Sequence, residues 1–341
     1  MRPYRMPSLV SSCILACALV VCAAGCDPRE GPAGNIAVKP SDSKVLRVGH
    51  FPNVTHAQAI VAHAMSRRGK GWFEERLGGD VKIEWSVYNA GPSAMEAIFA
   101  DAIDLTYVGP SPAINAYVKS HGEEIRVVAG AAVGGAALVV QPNGRIQKPE
   151  DFRGKRVATP QLGNTQDIAC RAYLIAHGFR VTQLGGDVSV IPTSNPDQLT
   201  LFSAKDLDAV WTVEPWVTRL ELEAGGKVFL EEPDTITAVL VASVDFLKQR
   251  SELAKKFVAA HTELTKWITE HPDEAQKLVN EELKEETTRV LPQDTLQRSW
   301  KRLKFTAEID LNPLKSFVDA AKSVGFLREA GDLSRLVEVI R

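Results

Sequence analysis

The chain has 341 residues, with 40 Lys and Arg against 42 Asp and Glu, a formal net charge of −2. A balance so near zero excludes a nucleic-acid binder held by phosphate contacts and a polybasic membrane binder. The length exceeds what a single core usually organises, so two lobes are expected.

Residues 1–26 read as a lipoprotein signal peptide. Arg2 and Arg5 give a basic start, and residues 8–25 follow without a charge, rich in Ala, Val, Leu, Ile and Cys. Ala23, Ala24 and Gly25 precede Cys26, which resembles a bacterial lipoprotein cleavage box with Ala23 where Leu is usual. Cys26 is the expected lipidation site, and in proteins of this kind an Asp in the place of Asp27 is associated with retention at the inner membrane. Residues 27–44 are rich in Pro, Gly, Ser and charge, the composition of a flexible tether. Cys13, Cys17 and Cys22 would leave with the signal and Cys26 would carry lipid. Cys170 then stands alone, so the core must hold without a disulfide.

Strands and helices alternate from there. Residues 45–49 (VLRVG) form a strand, 51–56 a loop and 57–67 an amphipathic helix. The alternation of 81–88 (VKIEWSVY) is that of a strand. Gly91–Pro92 breaks the chain before a helix at 93–100. A strand at 103–108, a helix from Gly109–Pro110 through Lys119, and apolar strands at 125–132 and 137–141 follow. The pattern repeats with a strand at 155–159, a helix at 166–177 ended by Gly178, a strand at 188–191 and a helix at 197–203. A strand at 208–211, a helix at 215–224 and an apolar strand at 237–242 come next, and from Ser251 the chain reads as almost entirely helical. This order predicts α/β layers. The segments near 136–140 and 237–242 read as crossings between lobes, giving lobe 1 as 45–136 plus 241–341 and lobe 2 as 137–240.

Four loops at strand ends carry unusual residues: 51–56 (FPNVTH), 107–112 (YVGPSP), 159–167 (TPQLGNTQD) and 211–216 (WTVEPW). Each precedes a helix, whose first turn leaves backbone N–H groups unpaired and carries partial positive charge. Loops of this kind facing one cleft would hold an anionic or polar head group. Thr55, Ser111, Asn164 and Thr165 add neutral donors, Asn53, His56 and Gln166 orient the ligand, and Trp211 supplies an apolar wall in preference to Trp216. Asp167 and Glu214 would repel a simple anion, so Glu214 is expected to select a ligand carrying an N–H donor.

His50, His56 and His63 show no third or fourth ligand at zinc spacing, so no metal and no cofactor are expected. Asp104 reads as a structural residue and Cys170 as buried and inert. No nucleophile elbow or paired base is visible, which argues against an enzyme.

In order and spacing the chain resembles the solute-binding proteins of ABC importers for aliphatic sulfonates, taurine and nitrate, a superfamily that also holds binders of thiamin-pyrimidine precursors. The resemblance rests on Asn89-Ala90-Gly91-Pro92, Glu96-Ala97-Ile98, Ile103-Asp104-Leu105, Gly163-Asn164-Thr165, Glu214-Pro215-Trp216 and Glu223-Ala224-Gly225-Gly226-Lys227-Val228. It implies a two-lobed periplasmic-binding-protein type II fold with a C-terminal helical tail packed on lobe 1. It further implies a monomeric, lipid-anchored protein on the periplasmic or extracellular face of the membrane, without enzymatic activity. Such a protein would pass a small solute to an ABC permease and ATPase. Aliphatic sulfonate or taurine is the leading solute, with nitrate, a thiamin-pyrimidine-like heterocycle, a sensor role or, last, an enzyme of the same fold as alternatives. Where sulfonate binders place serines after the glycine of the third loop, this chain has Asn164-Thr165-Gln166-Asp167, which leaves the solute open.

Overall fold

A computed structural model describes residues 44–182, 185–310 and 313–340. The signal segment, Cys26 and all of the tether except Lys44 lie outside the described residues. In chain order the elements of the first part are β1 (Val45–His50), α1 (Ala57–Arg67), α2 (Trp72–Leu77), β2 (Lys82–Val87), α3 (Gly91–Phe99), β3 (Leu105–Val108), α4 (Pro110–Lys119) and β4 (Ile125–Gly134). The middle part holds β5 (Ala136–Val140), β6 (Arg156–Thr159), α5 (Thr165–Ala176), a short hairpin of β7 (Val181–Thr182) and β8 (Gly185–Gly186), β9 (Ser189–Pro192), α6 (Asn195–Ser203), β10 (Ala209–Val213), α7 (Trp216–Ala224) and β11 (Lys227–Glu232). The last part holds β12 (Ile236–Ser243), α8 (Val244–Gln249), α9 (Ser251–Glu270), α10 (Pro272–Thr287), α11 (Gln293–Lys301), β13 (Leu303–Phe305) and α12 (Leu314–Ser323).

The α/β expectation holds. The strands form a six-stranded sheet, ordered β13-β4-β12-β3-β1-β2, and a five-stranded sheet, ordered β11-β5-β10-β6-β9. β1, β2 and β3 run parallel, as do β6, β9 and β10. Parallel strands end on one edge of their sheet, so the loops that start α3, α4, α5, α6 and α7 gather at those edges. The central strands are buried along their length, as β3, β5, β10 and β12 show, which is why they read as apolar runs rather than alternations.

The chain leaves the first sheet through Gly134 and Gly135, both at positive φ (80° and 73°). Side chains there would collide: a Cβ on Gly134 would lie 2.5 Å from the Arg302 carbonyl oxygen. The return passage lies between β11 and β12, and β12 belongs wholly to the first sheet, pairing with β3 and β4.

The C-terminal tail is almost entirely helical, as expected, with one short strand among its helices. β13 adds to the edge of the first sheet by pairing with β4. α9 and α10 pack on α2 and α1, whereas α11 meets α7 and α12 meets α5 as well as α4. Phe73 on α2 stacks on Phe257 of α9, ring centroids 4.1 Å apart, at the centre of the larger core cluster. Asp104 is structural, its carboxylate accepting from the Arg47 backbone N–H at 2.8 Å and from Arg47 Nη2 at 2.7 Å. Cys170 is buried and its thiol is pushed well above the usual range by that burial.

Candidate functional site

A hollow lies where the strand-end loops of the two sheets meet. Phe51, Asn53, Thr55, His56, Asn89 and Gly91 line it from one side, and Pro160, Asn164, Thr165, Gln166 and Asn195 from the other. The helix starts at Gly91, Pro110, Thr165 and Asn195 converge here with the 3-10 turn Val54–His56. None of the lining residues is acidic or carries a fixed positive charge. The positive end of each helix is therefore the dominant field, arising from both sheets.

Local sequence explains each placement. Asn164 is the N-cap of α5, its Oδ1 accepting the Asp167 N–H at 2.8 Å, and its Nδ2 donates to Gln166 Oε1 at 3.2 Å. Thr165 Oγ1 accepts the Ser111 N–H at 3.3 Å, joining the starts of α4 and α5. That approach needs Gly109, because a Cβ there would lie 2.4 Å from Thr165 Oγ1. Ser111 Oγ is buried nearby without a hydrogen-bond partner. His56 accepts the Phe51 N–H through Nδ1 at 3.2 Å, which assigns the ring proton to Nε2. Burial, reinforced by His50, holds His56 well below its usual pKa, so the ring is a neutral donor.

Polar contacts cross between the two sides. Trp216 Nε1 donates to Asn53 Oδ1 at 2.9 Å, Gln161 Nε2 donates to Ser93 Oγ at 3.0 Å, and Asn89 Nδ2 approaches the Pro160 carbonyl oxygen at 3.5 Å. The hollow as it stands is about 30 Å³, the scale of one or two waters. A solute of several heavy atoms must part these loops to enter.

Asn53, Thr55, His56, Asn164, Thr165 and Gln166 thus come together, with Ser111 beside them. Trp211 and Glu214 do not. Trp211 is 2% exposed and packs in the core of the second sheet, its Nε1 donating to Glu232 Oε2 at 3.0 Å. Trp216 is the tryptophan nearer the site. With Arg219 4.6 Å above its ring, it borders an adjoining hollow of about 200 Å³ that shares Asn53, Asn89 and Asn195 with the first.

The Glu214 carboxylate is fully buried and engaged elsewhere. It accepts from Thr218 Oγ1 at 2.8 Å, Ser299 Oγ at 2.9 Å and Arg302 Nη1 at 3.0 Å. Burial pushes its pKa up, opposed by Thr218 and Arg302. Asp167 is likewise satisfied, accepting from Thr159 Oγ1, the Gly163 N–H and Arg171 Nε. With Arg171 and Arg302 balancing these two acids, their expected repulsion of an anion falls away. Asn89 and Asn195 are lining residues that the four-loop reading omitted. Asn89 sits in the Asn-Ala-Gly-Pro stretch at a helix start, a signal present in the sequence.

Among the described residues a second polar cluster lies behind the 51–56 loop. His50 and His63 approach Glu286, a partner far along the chain that spacing could not reveal.

Residues 39–281 match the NMT1-like family. A Bacillus subtilis (strain 168) protein provisionally named aliphatic sulfonates-binding protein is 23% identical over 275 residues, 79% of this chain and 77% of its own length. The taurine-binding periplasmic protein of Escherichia coli (strain K12) is 25% identical over 228 residues, 65% of this chain and 68% of its own. Among solved structures, the alkanesulfonate-binding protein SsuA from Xanthomonas axonopodis pv. citri, bound to MOPS, superposes with a TM-score of 0.72 at 17% identity. That match covers 87% of this chain and 99% of the other. The fold is that of the periplasmic binding proteins, and the relatives are binding proteins and not enzymes. On the match spanning most of its length, this chain belongs to the NMT1-like family.

Proposed function

We propose that the protein is the solute-binding component of an ABC import system and that its solute is an alkanesulfonate. The observation that carries this reading is the convergence of helix N-termini from both sheets on a hollow lined by neutral residues. Such a site stabilises an oxyanion through N–H donors and dipoles, without a cation that would bind any anion indiscriminately. The Nε2–H of His56 and the free hydroxyl of Ser111 add donors on the same side. The adjoining hollow, where Arg219 and Arg289 stand beside Pro52, Trp216, Leu283 and Leu291, offers an apolar wall for an alkyl tail. The lining has no carboxylate to receive an ammonium, which favours a plain alkanesulfonate over taurine.

In this reading the two sheets are the cores of two lobes that part at the Gly134–Gly135 passage and at the return before β12. The solute enters the open form and stabilises the closed one, which docks on the permease. The protein is held as a monomer on the outer face of the membrane by lipid on Cys26. Support for the anchor is the charge-free stretch 8–25 followed by Ala-Ala-Gly-Cys.

A thermal-shift panel of ethanesulfonate, butanesulfonate, taurine, nitrate and a hydroxymethylpyrimidine tests the solute. At a hundredfold excess over Kd, a bound ligand adds about 2.7 kcal/mol of stability, a shift of a few degrees. The alkanesulfonates should give that shift and taurine a smaller one. A response to the pyrimidine or nitrate alone would replace the sulfonate reading. Replacing Cys26 by Ser should release the protein from membranes; continued membrane association would refute the anchor.

A further inference from the structure

His50 closes β1, His63 lies on α1 and Glu286 on α10, so three separate elements bring these side chains to one point. Glu286 Oε1 lies 3.0 Å from His50 Nε2 and 3.1 Å from His63 Nδ1, and the three candidate ligand atoms all fall within 4.8 Å of one another. Ligands about 2.0–2.1 Å from a tetrahedral zinc stand roughly 3.3 Å apart, so the triangle needs little adjustment to take such an ion. His50 is wholly buried, and the side chains of His63 and Glu286 are 11% and 2% exposed. Trp85 closes the cluster, stacked on His63 and edge-on to His50.

An ion pair alone leaves two atoms unexplained. His50 Nε2 is near Glu286 but is not aligned with it as a hydrogen bond, and both this nitrogen and Glu286 Oε2 are buried without a hydrogen-bond partner. His50 Nδ1 faces the Phe51 carbonyl oxygen at 3.4 Å, which favours the proton on Nδ1 and a bare Nε2 toward the cluster. A carbonyl partner behind a ligating histidine is the arrangement that orients it for a metal. Glu282 Oε1 lies 2.9 Å from His63 Nδ1 and is held by Arg67, outside the three-residue group.

We propose that His50, His63 and Glu286 bind one divalent transition-metal ion of the zinc class. Two imidazoles with carboxylate oxygens suit zinc or cobalt over magnesium or calcium. The enclosed position makes the ion a brace: it ties β1, α1 and α10 together directly before Phe51, where the solute-lining loop begins. The inference does not depend on the identity of the solute.

The test uses the purified protein after chelation, with its thiols alkylated so that the N-terminal cysteines cannot compete. Titration with Co²⁺ should give one equivalent per chain with visible bands of a tetrahedral nitrogen–oxygen site. Zn²⁺ should displace the cobalt and raise Tm by about 4 °C at a hundredfold excess over Kd. Glu286→Gln and His63→Gln should each weaken Zn²⁺ binding at least tenfold, while His177→Gln, an exposed site on the other sheet's side, should leave it unchanged. Circular dichroism establishes that the variants are folded; should either ligand variant unfold, the cobalt spectrum and stoichiometry of the unmutated protein decide. Octahedral-type spectra, no saturable binding, or binding that survives in folded Glu286→Gln would overturn the proposal.

Discussion

Thr165 stands where the starts of α4 and α5 meet, and its hydroxyl accepts the Ser111 N–H across that gap. Thr165→Val keeps the shape and removes the acceptor. Stability should fall by about 1 kcal/mol, whereas solute affinity should drop at least about tenfold, with Thr165→Ser restoring most of it; titration calorimetry and denaturant unfolding separate the two effects. Arg302 and Glu214 make the opposite kind of pair, structural and outside the hollow. Arg302 also meets Glu221 at 2.7 Å and Glu231 at 3.1 Å, so losing Glu214 leaves it partnered. Losing Arg302 leaves a fully buried carboxylate with hydroxyl and amide donors only. Arg302→Met should therefore cost about 3 kcal/mol and Glu214→Gln about 1 kcal/mol, and equal costs in urea unfolding would contradict this ordering. Both variants should retain the solute-induced Tm shift. Residues set by their own loop, such as Asn164 and Thr165 at the start of the third loop's helix, were legible in the sequence as donors at a helix entrance, although the capping role of Asn164 was not. Glu214 was not, because its neutralising partners Ser299 and Arg302 come from α11 and the residue after it. Trp211 and Trp216 flank one loop, and only the pleat of β10 decides that Trp211 enters the core.

At the scale of elements, α9 is fastened to the first sheet through His261. Its Nε2 donates to the Gly130 carbonyl oxygen at 2.8 Å and its Nδ1 pairs with the Tyr107 hydroxyl at 2.9 Å. Burial lowers its pKa to about 4, against the raising effect of the Gly130 carbonyl. The unfolded chain, with His near 6.5, therefore takes up a proton that the folded chain refuses between those values. Stability should fall as pH drops from about 6.5 toward 4, by roughly 3 kcal/mol in all from this one group. The slope of unfolding free energy over that window should be shallower in His261→Gln; parallel slopes would remove His261 as the cause. The contact between α4 and α5 has its own probe in Gly109→Ala, where the added methyl meets Thr165 Oγ1 at 2.4 Å. The φ of −67° accepts alanine, so the fold should hold while solute affinity falls. The buried strands and the longer helices could be read from apolar runs and periodicity. α2, α8, β11 and β13 could not: the first two span six residues each, and β13 has three residues set among charges. β11 is an edge strand, half-buried and ending in two glutamates, so its pattern is weak.

For the whole molecule, the arrangement is two sheets joined by few passages, with a small polar hollow at the meeting of their strand-end loops. Contacts bridge the two sides of that meeting, and on the proposed reading a solute enters when they part and is held when they re-form. Solute should accordingly shift the population toward compact particles in small-angle scattering. The most direct test of the central claim is a crystal structure grown with ethanesulfonate. The account expects the sulfonate oxygens within hydrogen-bond distance of donors from both sides, among them His56 Nε2, the α4 start and the α5 start, with the ethyl group toward Trp216. A sulfonate touching one side alone, or seated away from these helix starts, would contradict it.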